Sequence, residues 1–140
     1  MPQRITIGYK ALCEAAEREI ETLPIEEAIK LVGHKDTVLV DIRDIRELQR
    51  EAKVPGAFHC PRGMLEFWID PQSPYHKPIF AGDKKFVFFC AGGLRSALAA
   101  QTAQHMGLKH VAHIGGGFGA WKKAGGPVEA VESSSAQAKK

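Results

Sequence analysis

Cys90 is preceded by Phe86-Val87-Phe88-Phe89 and followed by Ala91, Gly92, Gly93, Leu94, Arg95 and Ser96. An apolar run therefore ends on a thiol. Gly92 and Gly93 let the backbone curl so that successive N–H groups point inward as an anion nest. A helix expected from Arg95 and Ser96 adds unpaired N–H groups and the positive end of its dipole. A sulfur at the centre of that cradle is favoured as thiolate. Arg95 adds charge or braces the loop. These residue types at this spacing fit an activated nucleophile that holds an anionic adduct. Cys90 is the candidate catalytic residue. Ala91, Gly92, Gly93, Leu94, Arg95 and Ser96 are the candidate substrate-binding residues.

Four more residues are pocket candidates: Asp41, Arg43, Arg62 and Trp68. Asp41 ends an apolar run, where it meets the pocket or orients loops and pairs with an arginine. Arg43 and Arg62 suit an anionic substrate, with surface ion pairs as the plainer role. Trp68 lines the mouth or fills the core, and Trp121 is read as core. Cys60 is a resolving thiol only if its strand ends near Cys90. Cys13, on a helix, is read as packing. His105, His110 and His113 fall on a helix end, a loop and a strand. Nothing fixes them into one site, so no metal is expected. Gly115-Gly116-Gly117 lacks the GxGxxG and GK[ST] patterns and reads as tight strand-to-helix packing.

The elements that must position these residues follow from periodicity. Leu12, Ala15, Ala16 and Ile20 share a helical stripe within Gly8–Ile20. Pro24 opens a second helix with Ile25, Ala28, Ile29 and Val32 inward, and Gly33 stops it. Thr37–Asp41, Ala57–Cys60, Phe86–Phe89 and Val111–Ile114 are short apolar runs that read as buried strands. Arg43–Lys53 is weakly helical. A short helix near Leu65–Ile69 leads into an irregular loop rich in proline. The helix after the Cys90 loop carries Ala99, Ala103 and Met106 on one face and closes at Gly107. A last helix spans Phe118–Ala124. Strands alternating with helices predict an α/β domain, its sheet mainly parallel and covered on both faces. Ligands bind at the carboxyl ends of such strands, where Cys90 sits.

The 140 residues fit one domain. The composition, 44% hydrophobic and 25% charged, excludes collagen-like, disordered and disulfide-framework classes. No apolar run approaches the ~20 residues of a membrane span. A net charge of +3 with dispersed Lys and Arg gives no nucleic-acid footprint. Three cysteines without a CxxC pair suit free thiols in a reducing compartment. The expectation is a cytoplasmic protein without membrane or nucleic-acid partners.

Val40-Asp41-Ile42-Arg43-Asp44 with Glu47-Leu48, then Lys53-Val54-Pro55-Gly56-Ala57, then Cys90–Ser96, then Ile114-Gly115-Gly116 with Trp121 and Gly126-Pro127-Val128 occur in order. Together they resemble the single-domain rhodanese, or thiosulfate sulfurtransferase-like, family from about Pro24 to Val128. The resemblance implies the three-layer rhodanese fold and a Cys90 persulfide carrying sulfane sulfur. It implies no organic cofactor and no metal. It also marks Cys90–Arg95 as the sulfur-handling loop length, one residue shorter than in the related dual-specificity phosphatases. Lys53 stands where the family's second signature usually has His. Ala91 and Leu94 bring no polar group to the loop, and the insert from Met64 to Phe80 is long enough to overhang the pocket.

The resulting organisation is an N-terminal helical extension over 1–22, a rhodanese-like domain over 23–128 and a flexible tail over 129–140. The expected function is sulfurtransfer through Cys90, from a small anionic donor such as thiosulfate, or a persulfide, to a thiol or cyanide. A partner protein is one source of that acceptor thiol. The rivals are a sulfur-relay or partner-binding module and a cysteine-based phosphatase or arsenate reductase.

Overall fold

The computed structural model describes residues 2–131. Its strands are β1 (Glu21–Leu23), β2 (Thr37–Asp41), β3 (Phe58–His59), β4 (Lys85–Phe89) and β5 (Val111–Ile114). Its helices are α1 (Tyr9–Glu19), α2 (Ile25–Ile29), α3 (Ile45–Glu51), α4 (Leu65–Ile69), α5 (Leu94–His105) and α6 (Gly117–Lys123). The strands form one parallel sheet in the order β1-β5-β4-β2-β3. The α/β architecture with a parallel sheet is as expected.

Alternation along each strand builds two cores. Val38, Val40, Phe86, Phe88 and Val111 face Ala16 of α1 with Ile20 just after it, Leu65 and Ile69 of α4, and the alanines of α5. Leu39, Val87, Phe89, Ala112 and Ile114 face Ala28 of α2 and Phe118 and Trp121 of α6. Ala97, Ala99, Ala100 and Ala103 let α5 lie close on the sheet, and all are fully buried.

Several details differ from the sequence reading. β1 is a strand that the sequence did not reveal. It pairs with β5, Thr22 opposite His113, and so crosses the boundary expected between 22 and 23. The buried side chains of α1 are Cys13 and Ala16, with Ile20 just past its end, whereas Leu12 is 48% exposed. Met106 lies past the end of α5 and is 41% exposed, because Gly107 at φ 104° turns the chain away from the sheet. Ile25, Ile29 and Val32 are half-buried, packed against the α2–α6 core. Only Phe58 and His59 of the expected Ala57–Cys60 strand pair with β2.

The Met64–Phe80 insert joins the first core. Phe80 is buried, stacks on Phe86 at 5.5 Å and meets Phe58 edge-on. At the expected tail, Glu129 pairs with Lys53 through both backbone and side chain. The rest of the tail, 132–140, lies outside the described residues.

Candidate active site

Cys90 follows directly on β4, and its loop closes at Gly93, the residue before α5. Gly93 adopts φ 100°, a left-handed conformation that glycine takes without strain. This turn points backbone N–H groups back at the sulfur. Cys90 Sγ accepts from Gly93 N at 3.1 Å and from Ser96 N at 3.3 Å. The sulfur thus takes the place of an N-cap acceptor for α5. Ser96 Oγ lies 3.6 Å from Sγ. Cys90 is almost wholly buried, while Ala91, Gly92, Leu94 and Arg95 are exposed around it.

The loop is held from behind by the glycine run after β5. Phe118 N donates to Cys90 O at 2.8 Å and Gly119 N to Ala91 O at 3.0 Å. Gly117, at φ 61°, lies so close that a Cβ there would stand 2.5 Å from Cys90 O. The tight packing expected of Gly115-Gly116-Gly117 is thus packing against the active loop itself.

Arg95 does not point at the sulfur. Its guanidinium grips Glu47 of α3 bidentately, at 2.8 and 2.9 Å. Glu47 also accepts from Asp44 N, closing a capping box at the start of α3. The Arg95 bonds hold the Glu47 carboxyl far below the usual range, at about 2. Of its two expected roles, charge or brace, Arg95 occupies the second. Glu47, quoted from a signature but not proposed for the site, is its partner across the pocket.

Asp41 and Arg43 are buried and serve each other. Arg43 Nε and Nη2 reach the Asp41 carboxylate at 2.9 and 2.7 Å, and Nη2 also donates to Ala52 O at 2.9 Å. The guanidinium lies 4.1 Å over the Phe118 ring. The pair ties the end of β2 to the end of α3 and to α6. Arg62 pairs with Glu66 at 2.9 Å and reaches Thr102 of α5. Trp68 packs edge-on against Phe58 under Lys77. Among the described residues, neither Arg62 nor Trp68 hydrogen-bonds the Cys90 loop.

Cys60 is fully buried, and burial pushes its thiol up to about 12. That shift disfavours the thiolate a resolving cysteine would need. Cys13 is buried as expected, and its thiol donates to Leu94 O at 3.6 Å. An open cavity of about 390 Å³ lies beside Ala91, with Phe118, Arg50, Glu51 and Lys122 on its walls. Among the described residues, no three His, Cys, Asp or Glu side chains converge to hold a metal ion, and no helix is long and apolar enough to cross a membrane.

Known proteins resemble this chain in sequence and fold. A thiosulfate sulfurtransferase of Vibrio cholerae, GlpE, is 30% identical over 109 residues, 77% of this chain and 93% of its own. Mouse thiosulfate sulfurtransferase/rhodanese-like domain-containing protein 3 is 28% identical over 122 residues, 81% of this chain and 78% of its own. A solved protein of unknown function from Rhodopseudomonas palustris, described as a possible tyrosine phosphatase, is 68% identical with a TM-score of 0.90, over 92% of this chain and 99% of its own. The polysulfide-sulfur transferase homodimer of Wolinella succinogenes superposes at a TM-score of 0.67 with 29% identity, over 90% of each chain. The family model for the rhodanese-like domain matches residues 24–124. A parallel sheet that delivers a cysteine into an N–H-lined loop, with this match over most of the chain, places the protein in the rhodanese-like domain family.

Proposed function

We propose that the protein is a sulfurtransferase that carries sulfane sulfur as a persulfide on Cys90. The observation that carries this reading is the sulfur's position, accepting two backbone N–H bonds at the start of α5. Such donors stabilise negative charge on sulfur without a metal or organic cofactor. The Cys90 thiolate attacks the outer sulfur of thiosulfate. The sulfur–sulfur bond of the donor breaks, and sulfite leaves with its electron pair. An acceptor nucleophile then attacks the outer sulfur of the persulfide and returns Cys90 as thiolate. Arg50 and Lys122 on the cavity beside Ala91 each stand 3.8 Å from Glu51, so the anionic donor is held in this reading by the loop N–H groups. Cytoplasmic thiols are the acceptors in this reading, including those of a partner protein docked over the exposed Leu94.

A second reading, phosphatase, follows from the Rhodopseudomonas palustris relative's description. The six-residue Cys90–Arg95 loop and the engagement of Arg95 by Glu47 speak against it. A phosphate-binding loop needs that guanidinium on its anion. The two readings are separated by treating the protein with thiosulfate and measuring its intact mass. The expected result is one added sulfur, removed by cyanide or dithiothreitol and absent in Cys90→Ser. Cys13→Ser and Cys60→Ser retain the adduct. An unchanged mass, with phosphate release from p-nitrophenyl phosphate, replaces this reading with the second.

A further inference from the structure

Behind Cys90, on the face away from the pocket, lies a polar chain inside an otherwise apolar core. Ser96 Oγ is 3.6 Å from Cys90 Sγ and 2.9 Å from His113 Nδ1. His113 is 1% exposed, on the central part of the sheet. Its Nε2 faces Thr22 Oγ1 at 3.2 Å and the Glu17 carboxylate at 3.6 Å. Glu17 is half exposed, so the chain runs from the buried thiol to solvent. A leucine or valine at position 113 would pack this face of β5 with no polar group to satisfy. An imidazole here asks for another explanation.

Hydrogen-bond capacity orients the chain. Nε2 has Thr22 Oγ1 within hydrogen-bond distance, and the acceptor-only Glu17 carboxylate just beyond it favours a proton on Nε2. In the neutral ring Nδ1 is then the acceptor, and the Ser96 hydroxyl donates to it. The Ser96 oxygen is left to accept the thiol hydrogen of Cys90. Every donor therefore points from the sulfur toward Glu17.

The geometry points to His113 as the acceptor of the Cys90 proton, taken through the Ser96 hydroxyl and secured by Glu17 and Thr22. This rests on Cys90 being the nucleophile. The S–H bond breaks and its proton passes to Ser96 Oγ as the hydroxyl proton of Ser96 passes to His113 Nδ1. The electron pair stays on sulfur. The hydroxyl is regenerated, now donating to the thiolate, and the imidazolium keeps its Nε2–H toward Thr22 Oγ1 and the Glu17 carboxylate. No oxidant or reductant takes part. His113 touches no substrate and acts through Ser96, so it is a positioning residue.

The groups facing the ring come from four elements. Glu17 stands on α1, Thr22 on β1, Ser96 on α5 and Cys90 just past β4. Burial lowers the His113 pKa, and the Glu17 carboxylate works against that. Burial thus favours the neutral ring, and the Glu17 carboxylate is the group that favours the imidazolium. Cys13 on α1 also stands near Glu17 and Cys90, but burial pushes its thiol up and keeps it uncharged.

The test uses the full chain, with Glu17→Gln as the main variant because Glu17 lies at the surface. Iodoacetamide labelling of Cys90 at pH 7, followed by peptide mass spectrometry, is expected to slow about two- to fivefold in Glu17→Gln. The melting temperature should not change. In parallel, nitrogen-15 NMR follows the imidazole titration of His113. Its midpoint is expected to fall in Cys90→Ser and in Glu17→Gln, since each removes a negative partner. A purely structural histidine would not sense Cys90→Ser. An unchanged labelling rate in Glu17→Gln, or a His113 midpoint indifferent to Cys90→Ser, overturns the inference. If both couplings hold while thiosulfate fails to load wild-type Cys90, the relay stands and the sulfurtransferase reading falls.

Discussion

Arg95 braces the Cys90 loop through a residue outside it. Its bidentate grip on Glu47 joins the Cys90 loop to α3, two segments far apart in sequence. Arg95→Ala and Glu47→Gln break the same brace, so each is expected to lower kcat/KM about fivefold. The double variant should be no worse than either single one. Additive losses in a thiosulfate–cyanide assay would mean that Arg95 meets the donor directly. Glu47 also sets part of the acid limit. Its carboxyl, and that of Asp44, are held at about 2 from ordinary values of 4.5 and 3.8. Groups depressed in the folded state stabilise it above their unfolded pKa and lose that as pH falls toward 2. His113 acts earlier. Its lowered pKa means that the unfolded chain takes up solvent protons at higher pH than the folded one, so stability declines as pH drops below 6.5. Urea midpoints should therefore fall in two stages on acidification, and Glu47→Gln should flatten the lower stage. The Cys90 loop was legible in sequence because its glycines, thiol and helix start are contiguous. Glu47 and His113 were not, because nothing local to Glu47 or His113 states what it will face across the sheet.

At the scale of elements, the active loop depends on α6 as much as on α5. The start of α6 donates to the carbonyls of Cys90 and Ala91, and Gly117 must lie against them at positive φ. Gly117→Ala places a Cβ into the carbonyl of Cys90 and is expected to cut sulfur loading at least tenfold, with strain of about 1–3 kcal/mol. Gly33→Ala is the matched control. Its φ is 77° but nothing lies within 4 Å, so it should lose about 1 kcal/mol of stability and no loading. Equal loading by the two variants, measured by intact mass, would detach the loop's geometry from α6. The strands β2 and β5 were read to the residue because β-branched apolar runs between polar breaks leave little choice of period. β1 carries no such pattern. Glu21, Thr22 and Leu23 become a strand only because the edge of β5 offers them partners. The stripe read for α1 holds at Ala16 and Ile20, and Leu12 alone of it is exposed, whereas Cys13 is buried and its thiol donates to the Leu94 carbonyl.

For the whole molecule, the N-terminal segment is the part whose standing changes most. It was expected as an extension before the domain, yet Ala16 and Ile20 sit in the core and β1 completes the sheet. Glu19 also accepts from Gln104 at 2.9 Å through its carbonyl, fastening α1 to the end of α5. Deleting residues 1–22 is expected to lower the melting temperature by more than 10 °C and to expose a dye-binding apolar face. A truncated chain melting with the full one would restore the extension to a mere appendage. The sheet order has a bearing on time as well as on stability. Thr22 pairs with His113, 91 positions later in the chain. A ribosome adding roughly 5–20 residues per second needs on the order of 10 s to span that gap. For that interval the first strand to emerge has no neighbour, and the last to be made receives it. The nascent chain therefore holds both ends of the polar chain, Glu17 and Thr22 at one and the Cys90 sulfur at the other, before it gains the helix and strand that carry Ser96 and His113 between them.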